Sequence, residues 1–332
     1  MLEIPSTPET VRVGYLDPTA ASIAEVASGT TVSYVNTWTH WGNGATYGMN
    51  FAEREPLRHQ FPKGPFSMVG PVSVTDAQMG DTLEIKIKKL RPISWGWNSF
   101  PLGVGALPAD FTEPYLHYFK FNEARTHTHF VKGVSFPLKT FLGYVALEPA
   151  GDEETSGNFA GKFGGNLIYP DLGVGTSLFL PVLKPGGRLW ISNVNARQAG
   201  GVVDQTGIET AAERIDLELS LHKTTIDFPI VETPTHWVVF GFSDDNLDEA
   251  LVNAVRNVIS WLSGATDLDK SEVYALSSML VNFEVNQYAN QTHSAYATKP
   301  PKAVQALIPR DVFDQHLQTH INISLRGVAK ND

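Results

Sequence analysis

Side chains suited to proton chemistry are few in this chain and widely spaced. His40 stands in Thr37-Trp38-Thr39-His40-Trp41-Gly42-Asn43, between two tryptophans. An imidazole walled by indoles is shielded from water, and its ordinary pKa near neutrality suits a base or a substrate donor. A histidine held only by packing is the competing reading. Among ten histidines, His127 and His129 form the one close pair, in Thr126-His127-Thr128-His129. On a strand both rings project to one side, as a His-x-His metal site needs, but no third ligand stands beside them in the sequence, so a surface pair competes. Two carboxylates stand out by position: Glu148, directly before Pro149, and Glu209, which ends Gly207-Ile208-Glu209. Asp152, Glu153 and Glu154 read as a hydrated loop. With no cysteine, thiolate metal sites and cysteine nucleophiles are excluded. Gly-x-Ser-x-Gly, Gly-x-x-x-x-Gly-Lys and His-Glu-x-x-His do not occur, and Gly103-Val104-Gly105 opens no dinucleotide fingerprint.

The elements that must position these groups are mostly strands. Thr31–Val35 and Asp81–Lys88 alternate with period two. In the second, Leu83, Ile85 and Ile87 are expected inside, with Thr82, Glu84, Lys86 and Lys88 in water. The segment 131–222 repeats this habit and ends in the alternating run Ile215–His222. The aromatic, Gly- and Pro-rich stretch from Pro92 to Pro114 reads as a loop that walls a pocket, and Trp38, Trp41, Trp95 and Trp97 are taken as substrate-contacting rings. After Ser243 the period becomes helical: one helix is expected near 246–263, closed by Gly264, and another near 271–280 after Asp269. Phe283–Gln287 should return as a strand. No fixed-period repeat or linker is evident, so a β-rich part over 1–135 and a β-rich part with helices over 136–332 are expected to form one integrated unit.

Composition narrows the partner. Charged residues are 18% of the 332, whereas there are 28 glycines and 21 prolines, a mix that favours short strands and tight turns. A formal charge of −10 with only 25 Lys and Arg argues against nucleic acid or anionic lipid and for a small-molecule substrate. No apolar run approaches the ~18 residues of a membrane span, and Met1–Ser6 lacks a secretory pattern, so a cytoplasmic protein is expected.

A series of motifs recurs in one order. Ser28-Gly29-Thr30-Thr31-Val32 is followed by Gly70-Pro71 and Gly80-Asp81-Thr82-Leu83. Gly164-Gly165-Asn166, Ser192-Asn193-Val194-Asn195 and Gly207-Ile208-Glu209 come next, and Ala306-Leu307-Ile308-Pro309 comes last. This order resembles the acetamidase/formamidase family over about 300 positions. The resemblance implies an α+β, predominantly β fold in two parts, sandwich- or barrel-like, with C-terminal helices. It also implies hydrolysis of a carbon–nitrogen bond in a small linear or cyclic amide, and self-association, a homodimer being favoured.

Departures from the family pattern fall on its charged positions. Asn193 and Asn195 stand where the pattern has Asp and His, and Val202 stands where it has Glu. Thr30, Ile168 and Asn282 stand where it has Asp. A divalent metal is therefore implied by the family while its ligand positions are substituted here, and no metal ligand is assigned. The amides of Asn166, Asn193 and Asn195 are expected to bind substrate or hold an oxyanion, with Glu148, Glu209 or His40 as the catalytic acid–base group. The alternative is a metal-free relative that binds or transforms a bulkier, non-amide molecule.

Overall fold

The computed structural model describes residues 1–288 and 296–328. Two large sheets pack face to face and stay open as a sandwich. One has nine strands, ordered Leu2–Pro5, Thr30–Val35, Ala212–His222, Thr82–Pro92, Ser177–Pro181, Ile230–Glu232, His236–Ser243, Lys302–Pro309 and Asn282–Gln287. The other has ten, with Phe141–Leu147, Leu189–Arg197, Ile208–Thr210, Trp95–Phe100 and Tyr115–Lys120 side by side in that order. Each sheet takes strands from both sides of residue 135. Alternation explains the core between them: Val32, Ile85, Leu178 and Leu217 from the first sheet meet Val72, Leu142, Ile191 and Leu189 from the second. Burying such side chains is worth about 1.5–3 kcal/mol each.

Leu83, Ile85 and Ile87 face inward as the alternation predicts, but Thr82 and Glu84 are buried too. Glu84 accepts from Ser177 Oγ at 2.7 Å and pairs with His222 at 2.9 Å and Arg326 at 2.8 Å. Burial disfavours its charge, yet those partners hold its pKa down to about 2. The other end of this network, Arg326, lies in a helix far along the chain, which strand periodicity alone does not reveal.

The helices Leu247–Ala265 and Lys270–Leu280 fall where the period changes. Asn246 accepts from the backbone N–H of Asp248 and Glu249 at the first, and Asp269 forms a capping box with Glu272 at the second. The first continues one residue past Gly264. Together with the helix Gln315–Arg326 they cover the nine-stranded sheet through Trp237, Val258, Leu262, Ile308 and Ile321. That last helix and Phe51–Gln60 were not expected. The stretch expected as a loop from Pro92 instead contains the strand Trp95–Phe100.

Candidate active site

The ten-stranded sheet aligns the site. Phe141 pairs with Asn195, Asn195 with Glu209, Glu209 with Trp97 and Trp97 with Tyr118 across five adjacent strands. Laterally paired residues share one face of a sheet, so this row projects Asn195, Glu209 and Trp97 to the same side. Asn193, two residues before Asn195, has φ 51°. The Nδ2 of Asn195 donates to Asn193 Oδ1 at 3.3 Å, and the Nδ2 of Asn193 lies 3.5 Å from Asn166 Oδ1. Gly143, on the neighbouring strand, lets this array close: a Cβ there would sit 2.7 Å from Asn193 O and 2.8 Å from Asn195 Nδ2.

His40 is delivered by a tight turn in which Trp41 and Gly42 are left-handed, with φ 57° and 65°. Thr39 Oγ1 donates to Ala45 O at 2.7 Å, and Ser67 Oγ donates to Thr39 O at 2.6 Å, fixing the turn. The imidazole meets Trp41, Phe66 and Trp97 edge-on at centroid distances of 5.7, 5.2 and 5.0 Å. Its Nε2 lies 3.7 Å from Glu209 Oε1 and has no hydrogen-bond partner among the described residues.

These residues line a cavity of about 100 Å³. His40 and Glu209 are both buried, and burial disfavours charge on each. Desolvation raises Glu209 to about 8, with Arg54 and Trp97 acting the other way and Asp204 adding to the rise. Desolvation, aided by the nearby Arg54 charge, lowers His40 to about 3 against a hydrogen bond to Asn193. Near neutral pH burial thus favours a carboxylic acid facing a neutral imidazole.

The cavity wall includes His40, Trp41, Trp97, Glu209 and the three asparagines. Other expected site residues lie elsewhere. Glu148 is not in the wall: it is buried in an ion pair with Arg188, with Lys184 Nζ at 3.6 Å, away from the cavity. Trp95 stands behind the wall, 5.5 Å from the Trp97 ring, and Trp38 packs on the main core. His127 and His129 are exposed on a short strand. Among the described residues, the group that could gather three metal-ligating atoms is instead Asp267, His316 and His320, on the surface and apart from the cavity wall. Sequence reading missed Arg54 and Arg58, which the helix Phe51–Gln60 brings to the wall. The Asn50-x-x-Glu53 capping box was the available signal.

Residues 63–160 match the model of the Acetamidase/Formamidase family. That segment is similar to the family. An acetamidase from Bacillus halodurans is 24% identical, with a TM-score of 0.82 over 94% of this chain and 98% of that one. An acetamidase from Yersinia enterocolitica is 19% identical, with a TM-score of 0.80 over 95% and 93%. A gamma lactamase from Delftia acidovorans is 18% identical, with a TM-score of 0.62 over 92% and 90%. At these identities the likenesses establish the fold. None of the curated proteins matches the chain.

The divalent metal implied by the acetamidase/formamidase pattern does not fit the residues at its positions. Asn193 and Asn195 offer neutral amides already hydrogen-bonded to one another. Ile168 and Val202 pack with Phe141 into an apolar cluster where the pattern has two carboxylates. Thr30 and Asn282 lie on strands of the opposite sheet, outside the cavity wall. Both Ile168 and Val202 keep left-handed backbones, φ 41° and 45°, which β-branched residues adopt only under constraint.

Proposed function

We propose that this cavity hydrolyses the carbon–nitrogen bond of a small linear or cyclic amide, with Glu209 as the proton-transfer group. The observation that carries the reading is the buried Glu209–His40 pair, aligned by the sheet with the asparagine array. In its ionised form, Glu209 takes a proton from a water as the water oxygen attacks the amide carbon. The carbonyl electrons move onto oxygen, where the Nδ2 groups of Asn193 and Asn195 are placed to donate. Collapse of the tetrahedral intermediate breaks the carbon–nitrogen bond, and Glu209 returns the proton to the leaving nitrogen. The products are a carboxylic acid and ammonia, or a ring-opened amino acid from a lactam. His40 stays neutral because burial keeps its pKa low. Its Nε2, 3.7 Å from Glu209 Oε1, faces the carboxyl that keeps the proton between the two transfers.

The test is ammonia release from formamide and acetamide, and ring opening of a simple lactam, by the purified protein and its Glu209→Gln variant. Turnover by the parent that survives in the variant would remove Glu209 from the mechanism, and no turnover of any amide would end the hydrolytic reading.

One observation favours the second reading, a metal-free relative handling a bulkier molecule. An apolar recess lined by Phe100, Leu107, Phe111 and Val203 shares Pro101 and Val104 with the cavity. Elongated apolar ligands that bind without releasing ammonia would support it.

A further inference from the structure

The helix Phe51–Gln60 sets Arg54 in the cavity wall, only 2% exposed. Its Nε donates to Tyr118 Oη at 3.2 Å. The rings of Trp97, Tyr118 and Trp41 stand 4.7, 5.2 and 5.7 Å from the guanidinium carbon. Neither terminal amino group has a hydrogen-bond partner, and Arg54 forms no ion pair among the described residues. A guanidinium has five N–H donors in a planar fork that matches a carboxylate. Burying it with four of them unanswered is costly unless something arrives to accept them. The charge of Arg54 favours ionised Glu209, but the proton transfers proposed there give its terminal N–H groups no acceptor.

Its surroundings set the sign of what arrives. Arg58, one turn along the same helix, also lines the cavity, and Glu55 answers its charge from outside that wall at 2.8 Å. Among the described residues Glu209 is the one carboxyl in the wall, and burial favours its neutral form. The cavity is therefore cationic in a chain whose formal charge is −10. Aromatic rings exclude water from Arg54 and strengthen any charge-assisted bond it makes.

We propose that the substrate is an amide that also carries a carboxylate, with the carboxylate held in the fork of Arg54 and the amide presented to Glu209 and the asparagines. Monoamides of dicarboxylic acids and lactams bearing a carboxyl group belong to this class. The amide end rests on the hydrolytic reading above; the carboxylate end does not.

Calorimetry at pH 7 with succinamate, succinamide and succinate tests this, because the three differ only in which ends are carboxylate. Succinamate should bind about tenfold or more tightly than succinamide, the gain of a charge-assisted bidentate contact. That preference should vanish in Arg54→Gln and be reduced in Arg54→Lys, which keeps the charge and loses the fork. Equal or tighter binding of succinamide by the parent protein, or no binding of either, would overturn the inference whether or not the variants fold. Binding of succinamate without ammonia release would leave the carboxylate subsite standing and remove the hydrolytic reading. Turnover of neutral amides with no carboxylate preference would do the reverse.

Discussion

Glu209 and His40 illustrate how burial assigns roles to two ordinary side chains. With Glu209 raised to about 8, only its ionised fraction can accept a proton from water. kcat/KM should therefore climb about tenfold per pH unit up to about pH 8 and level above it. A profile that falls over this range would identify the protonated carboxyl as the active form and reverse the assignment. Glu209→Gln keeps the shape and removes the base, so kcat should drop by roughly 10²–10⁴, read from ammonia release under saturating amide. His40 and Glu209 were both legible as candidates, the first from its flanking tryptophans and the second from its motif. Arg54 was not. It lies in Phe51-Ala-Glu-Arg-Glu-Pro56, where charges and an internal proline suggest a surface segment, and only packing reveals that its guanidinium turns inward.

At the scale of elements, two close approaches set the precision of the site. Gly143 lets the strand Phe141–Leu147 pass against Asn193 and Asn195. Gly143→Ala would need those atoms to retreat, so we expect about 1–3 kcal/mol of destabilisation together with at least a tenfold loss of amide turnover. Urea denaturation and steady-state rates check the two separately, and a variant of unchanged rate would show that the asparagines need not sit where they do. The helix Phe51–Gln60 is held at its start by Asn50, whose side chain accepts from Glu53 N at 3.1 Å while Glu53 Oε2 accepts from Asn50 N at 2.7 Å. Removing that cap with Asn50→Ala should cost about 1 kcal/mol, visible as a lower melting temperature. Strand alternation and helix caps made most of these elements legible. Pairing order was not, because the row from Phe141 to Tyr118 joins residues that are distant in sequence.

For the molecule as a whole, the buried pair couples stability to pH. Unfolded, Glu209 and His40 titrate at 4.5 and 6.5; folded, at about 8 and about 3. The raised carboxyl makes the folded state hold a proton that the unfolded chain releases, so its contribution is complete below pH 4.5 and declines as pH rises towards 8. The depressed histidine has the opposite sign: its contribution is complete above pH 6.5 and is lost as pH falls towards 3. Between 4.5 and 6.5 the two slopes offset, and from 6.5 to 8 the Glu209 slope stands alone, on the order of 1 kcal/mol per pH unit. The stability of Glu209→Gln relative to the parent should therefore increase from pH 5 to pH 8 in urea titrations; a constant difference would mean that Glu209 is not desolvated in the folded protein.

By itself the sequence determined the β-rich class, the C-terminal helices, the family pattern and the loss of charge at its metal positions. Each is written in local periodicity, in caps or in residue type, all of which survive without knowledge of neighbours. The tertiary structure decided which candidates share a cavity. It drew Glu148 into an ion pair with Arg188, because opposite charges that are buried must find each other. It also placed Glu209 beside His40, in a wall that Arg54 joins. Those outcomes depend on desolvation and on contacts between separate segments, as where Trp97 pairs with Glu209, and neither quantity exists until the sheets have closed on one another.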